Sequence, residues 1–183
     1  CAPVAEELIF RKLLIDRLAQ YGEGVAVLFS GLMFGLFHGN LNQFVYAFVL
    51  GLCFGFIYVK TGNIRYTIGL HMLVNFLGSV LGVAILKWLG DDFLSIASDP
   101  AGMMSYMTGN FGKLIVYFIY IFLLLGVAIA GIILFIVNLK KIRFQPGMNT
   151  IPKGKRLSTT VLNVGMALYM IVWIVIIIVQ LFQ

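Results

Sequence analysis

Pro3-Val4-Ala5-Glu6-Glu7-Leu8-Ile9-Phe10-Arg11 sets two adjacent carboxylates and a guanidinium inside an apolar, helix-forming segment. Ionisable groups at membrane depth are expensive, so they mark a functional site whose partners lie elsewhere in the bundle. The chain holds two histidines, His38 and His71, each inside its own hydrophobic segment. Asn75 follows His71 by four residues, and Glu23 is the one further glutamate. The remaining sequence reads as the frame that brings Glu6, Glu7, His38, His71 and Asn75 together.

That frame is membranous. Of 183 residues, 61% are hydrophobic and 11% charged, with a mean hydropathy of +1.03. Several runs reach the ~20 apolar residues that cross a bilayer. Only helices or closed barrels satisfy the backbone in lipid, and the short alternating segments of a barrel are absent. The sequence predicts an all-α polytopic bundle of about six membrane helices forming one membrane domain. Residues 1–89 carry the polar motifs, and residues 90–183 supply C-terminal helices with an acidic loop and a basic loop. The net charge of +6 does not indicate nucleic acid, because the cations flank apolar segments instead of lining an aromatic stripe. Cys1 and Cys53 are too few for a disulfide framework. The chain opens abruptly on its motif, which predicts a shortened N-terminus.

In chain order, the first helix is expected over Pro3–Ala19, with Pro3 suited to an early helical position. Gly22-Glu23-Gly24 is the turn into a second helix, Val25–Gly39, and Asn40-Leu41-Asn42 links it to a third, Phe44–Val59. Lys60-Thr61-Gly62-Asn63 breaks that helix, and the fourth covers Ile64–Leu89. A loop of about twenty residues is expected over Gly90–Asn110, a fifth helix over Gly112–Leu139, a basic loop over Lys140–Arg156, and a sixth helix over Thr160–Phe182. Six of the thirteen Lys and Arg fall in that basic loop, which the positive-inside rule makes cytoplasmic, with the acidic 90–110 loop opposite. Gly31, Gly35 and Gly39, and again Gly51 and Gly55, recur every four residues, a spacing that lets helix backbones approach closely.

The polar residues divide the chemistry among them. Glu7 and Arg11, four apart, share a helix face and read most simply as an internal ion pair. Glu6 then points about 100° away and is free to act as a general base. Counted out from the turn near Glu23, Glu6 and His38 lie at similar depth on a helical hairpin. A histidine hydrogen-bonded to a carbonyl is the plainer alternative for His38. His71 and Asn75 share a face and can donate two hydrogen bonds to a developing oxyanion, worth ~3 kcal/mol per donor. Asn75 could equally glue helices together. The donors Glu6, His38 and His71 also suit a divalent metal such as zinc, without the H-E-x-x-H spacing that identifies one. Metal-bound and metal-free water activation both stay open.

Glu6-Glu7-x-x-x-Arg11, Phe34-x-x-x-His38 and His71-x-x-x-Asn75, in that order, resemble the type II CAAX prenyl endopeptidase family, also called the CPBP or Abi family of intramembrane metalloproteases. Gln43-Phe44 and Lys60-Thr61-Gly62-Asn63-Ile64 are similar as well, so the resemblance covers residues 3 to 80. It implies a helical membrane protease whose Glu6 and His38 activate water. His71 and Asn75 would form the oxyanion site, and Glu7 and Arg11 would support them. The partners implied are the bilayer and a peptide or protein substrate, with a bacterial cell membrane as the expected location. Bacterial relatives are associated with bacteriocin immunity and peptide processing. A non-proteolytic immunity or scaffold protein of the same fold is therefore the competing expectation, and an ion-coupled transporter is a weaker third.

Overall fold

The computed structural model describes residues 2–149, 151–155, 158–159 and 162–182. Helix α1 (2–21) is α-helical over Ala2–Glu7, widens to a π-helix over Leu8–Ile15, and ends in a tight 3₁₀ turn over Ala19–Tyr21. Gly22 reverses the chain at φ +116°, a backbone state that side chains rarely adopt. Helix α2 (Glu23–Phe37) follows, then α3 (Leu41–Thr61). The Asn40 side chain caps α3 by accepting from the amides of Asn42 and Gln43 at 2.8 and 3.3 Å. Gly62, at φ +63°, closes it by donating to the Tyr58 carbonyl. Helix α4 covers Ile64–Leu89, the range expected, with a second π-helical stretch at Phe76–Leu81.

The stretch 90–110 is not the loop that was expected. It forms a short helix α5 (Phe93–Ala97) and then the start of α6 (Pro100–Asn138), which kinks at Asn110 (φ −128°). The physical reason lies in Asp99-Pro100. The Asp99 carboxylate accepts from the amides of Ala101 and Gly102, and Pro100 occupies an opening position where its missing N–H costs nothing. The last helix, α7 (Val164–Leu181), begins at Asn163, whose side chain accepts from the Met166 amide. Its expected start at Thr160, and also Cys1 and Arg156, lie outside the described residues.

Among the described residues, four segments are long and apolar enough to cross a membrane: Leu41–Thr61, Ile64–Leu89, Pro100–Lys141 and Val164–Leu181. Six were expected. Helix α2 is apolar but spans 15 residues, about 22 Å, and α1 carries Arg11, Lys12, Asp16 and Arg17 in its second half. Large apolar side chains such as Phe122, Leu134 and Ile178 stand exposed along these helices, the surface a hydrocarbon solvent covers.

The chain's contacts define two compact units, Cys1–His71 with Phe144–Gln183, and Met72–Arg143. In the first, α2 and α3 pack backbone to backbone. A Cβ at Gly51 would lie 2.8 Å from the Gly31 Cα, so the spaced glycines are what permits the approach. Phe10, Phe34 and Ala47 form one buried cluster, and Ile15, Ala26 and Tyr58 another. Helix α7 joins α2 through the Tyr169 hydroxyl, which donates to the Met33 carbonyl at 2.7 Å, and through Trp173 stacked edge-on against Phe37. The second unit is built on Leu89, Phe93 and Leu114, with the Tyr120 hydroxyl donating to the Leu77 carbonyl in the π-helical stretch.

Residues 144–149 clasp the turn between α1 and α2. Gly22 pairs with Pro146 in a single antiparallel bridge, and Asn149 donates to the Gln20 carbonyl at 2.9 Å. The Glu23 carboxylate ties the clasp to α3, accepting from the Gln145 amide at 2.9 Å and from Lys60. Burial alone pushes the Glu23 carboxyl up, but Lys60 and the Gln145 N–H prevail and hold it below the usual carboxylate range.

Two outcomes follow. Gly51→Val should separate α2 from α3 and cost about 1–3 kcal/mol, as overpacked cores do, read as a lowered midpoint of thermal unfolding in detergent. Glu23→Ala should accelerate hydrogen exchange at the Gln145 amide. In the wild-type chain the Glu23 contribution is complete above the unfolded glutamate pKa of about 4.3 and fades as pH falls through the lower folded value. Amide exchange at Gln145 that is insensitive to both changes would remove Glu23 from the clasp.

Candidate functional site

Glu7 and Arg11 are both fully buried, which is costly for any charge that is not paired. Arg11 Nε lies 3.1 Å from Glu7 Oε2, an ionic contact whose N–H does not point squarely at the oxygen. The two terminal nitrogens of the guanidinium have no hydrogen-bond partner among the described residues. Aromatic faces cover the group instead: its carbon sits 4.5 Å from the Phe34 ring centre and 5.5 Å from that of Phe54. The π-helix that starts directly after Glu7 ends at Ile15, and inserted turns of this kind recur at functional sites. Ser30 fixes this turn from α2, donating from its buried hydroxyl to the Phe10 carbonyl at 2.8 Å.

His71, 4% exposed, reaches this pair from α4. Its Nδ1 lies 2.9 Å from Glu7 Oε1 and its Nε2 lies 3.7 Å from Glu6 Oε2. Phe34 and Phe54 bracket the imidazole, with ring centres 5.5 and 5.6 Å away. The structure thus gathers Glu6, Glu7, Arg11 and His71.

His38, half-buried, ends α2 with its ring packed against Phe34 at 4.8 Å. Its Nδ1 lies 2.8 Å from the Phe34 carbonyl. A carbonyl only accepts, so Nδ1 donates and Nε2 is left for other work. Among the described residues, the imidazole within ion-pair distance of Glu6 is that of His71, not that of His38. One side chain, Phe34, touches both histidine rings and the guanidinium. Asn75 belongs to the second unit and is exposed there.

The ligand set Glu6, His38 and His71 is not assembled. Among the described residues, no group of three or more His, Cys, Asp or Glu side chains is placed to hold a metal ion. Glu6 and His71 face each other, while His38 turns Nδ1 to a backbone carbonyl.

Sequence reasoning passed over Ser30, Phe54 and Thr67, all buried in this unit. Ser30 carried a signal, as a lone hydroxyl one turn before Phe34 in an apolar helix. Phe54 carried none among the chain's sixteen phenylalanines.

Fold and comparisons together define the class: this is an integral, multi-pass, all-helical membrane protein. Residues 1–77 match the family model described as type II CAAX prenyl endopeptidase, Rce1-like, and contain every motif residue of the site. Over 74 residues, 40% of this chain, the sequence is 32% identical to the Bacillus subtilis (strain 168) protein described as "Putative membrane peptidase YdiL". That match spans 30% of the relative's length. No solved structure matches.

Arg11→Met should cost about 3–5 kcal/mol, because it leaves the Glu7 carboxylate buried without its cation. The double variant Glu7→Leu/Arg11→Met should recover most of that loss in thermal unfolding in detergent. If the single and double variants unfolded at one temperature, the pair would not be the buried ionic unit described here.

Proposed function

We propose that this chain is an intramembrane peptidase that hydrolyses a peptide bond in a membrane-embedded segment or near the C-terminus of an apolar peptide. The observation that carries the reading is the placement of the partly exposed Glu6 carboxylate beside a histidine that is itself held by a buried carboxylate and guanidinium. A carboxylate with an imidazole across a gap can bind and deprotonate a water, and neither neighbour is spent on neutralising the other. Structural ion pairs need no such free face. The family match over residues 1–77 and the description of the Bacillus relative support the same chemistry.

Glu6 is the water-binding carboxylate in this reading, and Glu7 and Arg11 position His71. His38, anchored through Nδ1, is assigned to the substrate side, where its Nε2 lone pair is left to accept from a peptide N–H. The bilayer supplies the substrate. An apolar peptide partitions into it and meets the site without leaving lipid.

The test uses the chain reconstituted in vesicles with a pool of quenched-fluorescence apolar peptides. Glu6→Gln should lower turnover by about 10²–10⁴-fold, the usual range for losing a group positioned on the reacting water, while eluting and unfolding like the wild type. Turnover of Glu6→Gln within twofold of wild type would sink the assignment. An inert wild-type chain that still captured the peptides would favour the scaffold alternative.

A further inference from the structure

The arrangement behind His71 decides which of its nitrogens carries the proton. Arg11 can only donate, and its Nε faces Glu7 Oε2 at 3.1 Å. Beside that cation, Glu7 is the acceptor of the pair. Its other oxygen, Oε1, lies 2.9 Å from Nδ1 of His71. A carboxylate pinned this way has no proton to offer, so Nδ1 must be the donor. In the neutral ring the lone pair then sits on Nε2, which faces Glu6.

The Nε2–Oε2 separation of 3.7 Å is too long for a direct hydrogen bond. It suits one oxygen atom set to the side of the line between them, at about 2.8 Å from each. Both neighbours accept, so a water bound there commits both of its hydrogens and turns its lone pairs toward the open side. If Nε2 carried the hydrogen instead, it would donate to that water and occupy a lone pair. The rings of Phe34 and Phe54 hold the imidazole in this orientation from both sides.

We propose that His71 is a catalytic base whose tautomer is set by the Arg11–Glu7 pair, in place of the hydrogen-bond donor that the family resemblance implies. The inference rests on the hydrolytic reading above. In the step, the water oxygen bonds to the peptide carbonyl carbon, one water proton passes to Nε2, and the carbonyl π pair moves onto oxygen. Glu6 holds the second hydrogen throughout. As the oxyanion re-forms the carbonyl, the C–N bond breaks and the imidazolium returns its proton to the departing nitrogen. The products are a carboxylic acid and an amine, and the ring regains its starting tautomer.

Glu7→Gln separates the two roles at nearly constant volume. Arg11 draws the amide oxygen toward itself, so the amide nitrogen faces Nδ1 and forces the ring proton onto Nε2. A donor would survive that change, and a base would not. The experiment is ¹⁵N-histidine NMR of the whole chain in lipid nanodiscs, where two histidines give two sets of signals and His38→Gln assigns them. Wild-type His71 should carry its proton on Nδ1 alone, and Glu7→Gln should reverse it. Cleavage of the peptide pool should fall by about 10²–10⁴-fold with the tautomer. A wild-type ring protonated on Nε2, alone or together with Nδ1, would overturn the inference without need of any variant. So would a Glu7→Gln chain that cleaves within threefold of wild type with its tautomer reversed. The expected wild-type tautomer in a chain that cuts nothing would overturn the base role through the hydrolytic reading alone, with the tautomer assignment intact.

Discussion

The buried contact between Glu7 and Arg11 is the constraint around which the first unit is arranged. Two charges at zero exposure are tolerated in an apolar interior only when each neutralises the other. Everything near them serves that condition. The π-helical turn after Glu7 and the Ser30 hydroxyl fix the backbone that carries both residues. Phe34 and Phe54 cover the guanidinium, whose two terminal nitrogens have no hydrogen-bond partner among the described residues. His71 takes the carboxylate oxygen that Arg11 leaves free. One ion pair thereby orients a histidine from a helix sixty residues away in sequence, and through it leaves Glu6 facing a polarised ring.

Close packing is what makes such a centre affordable in lipid. The α2–α3 contact through Gly31 and Gly51 brings Phe34 and Phe54 from two helices onto one guanidinium. Helix α7 presses Trp173 and Tyr169 against the end of α2 that bears His38. The C-terminal half of the chain therefore contributes a helix that packs beside the motif-bearing ones. At the other end of α1 and α2, the Glu23–Lys60–Gln145 contacts hold residues 144–149 over the turn. These contacts are polar and sit at a helix junction, where water can reach them, in contrast to the sealed pair inside.

The expected loop over 90–110 shows where one-dimensional reasoning loses resolution. Hydropathy located the membrane helices because burial in hydrocarbon depends on composition summed over about twenty residues. The stretch 90–110 was assigned to a loop for its polarity, yet Asp99-Pro100 starts a helix there through a local cap. That signal was legible and was outweighed by charge. The π-helical turns at Leu8–Ile15 and Phe76–Leu81 had no comparable signature, since one inserted residue in a helix leaves composition unchanged.

For the candidate site, the sequence alone nominated the residues: rare charged and imidazole groups in apolar segments are costly enough that their presence already signals a polar centre. It also determined the Glu7–Arg11 pairing, because residues four apart on a helix meet whatever the fold. Which histidine meets Glu6 was beyond its reach. Depth counted along a hairpin pairs Glu6 with His38, while the folded chain sets His71 Nε2 within 3.7 Å of Glu6 and binds His38 to the Phe34 carbonyl one turn back. The reason is physical. Position along a helix follows from counting residues, whereas the rotation of one helix against another follows from how side chains and glycines interlock, and only the assembled helices contain that information.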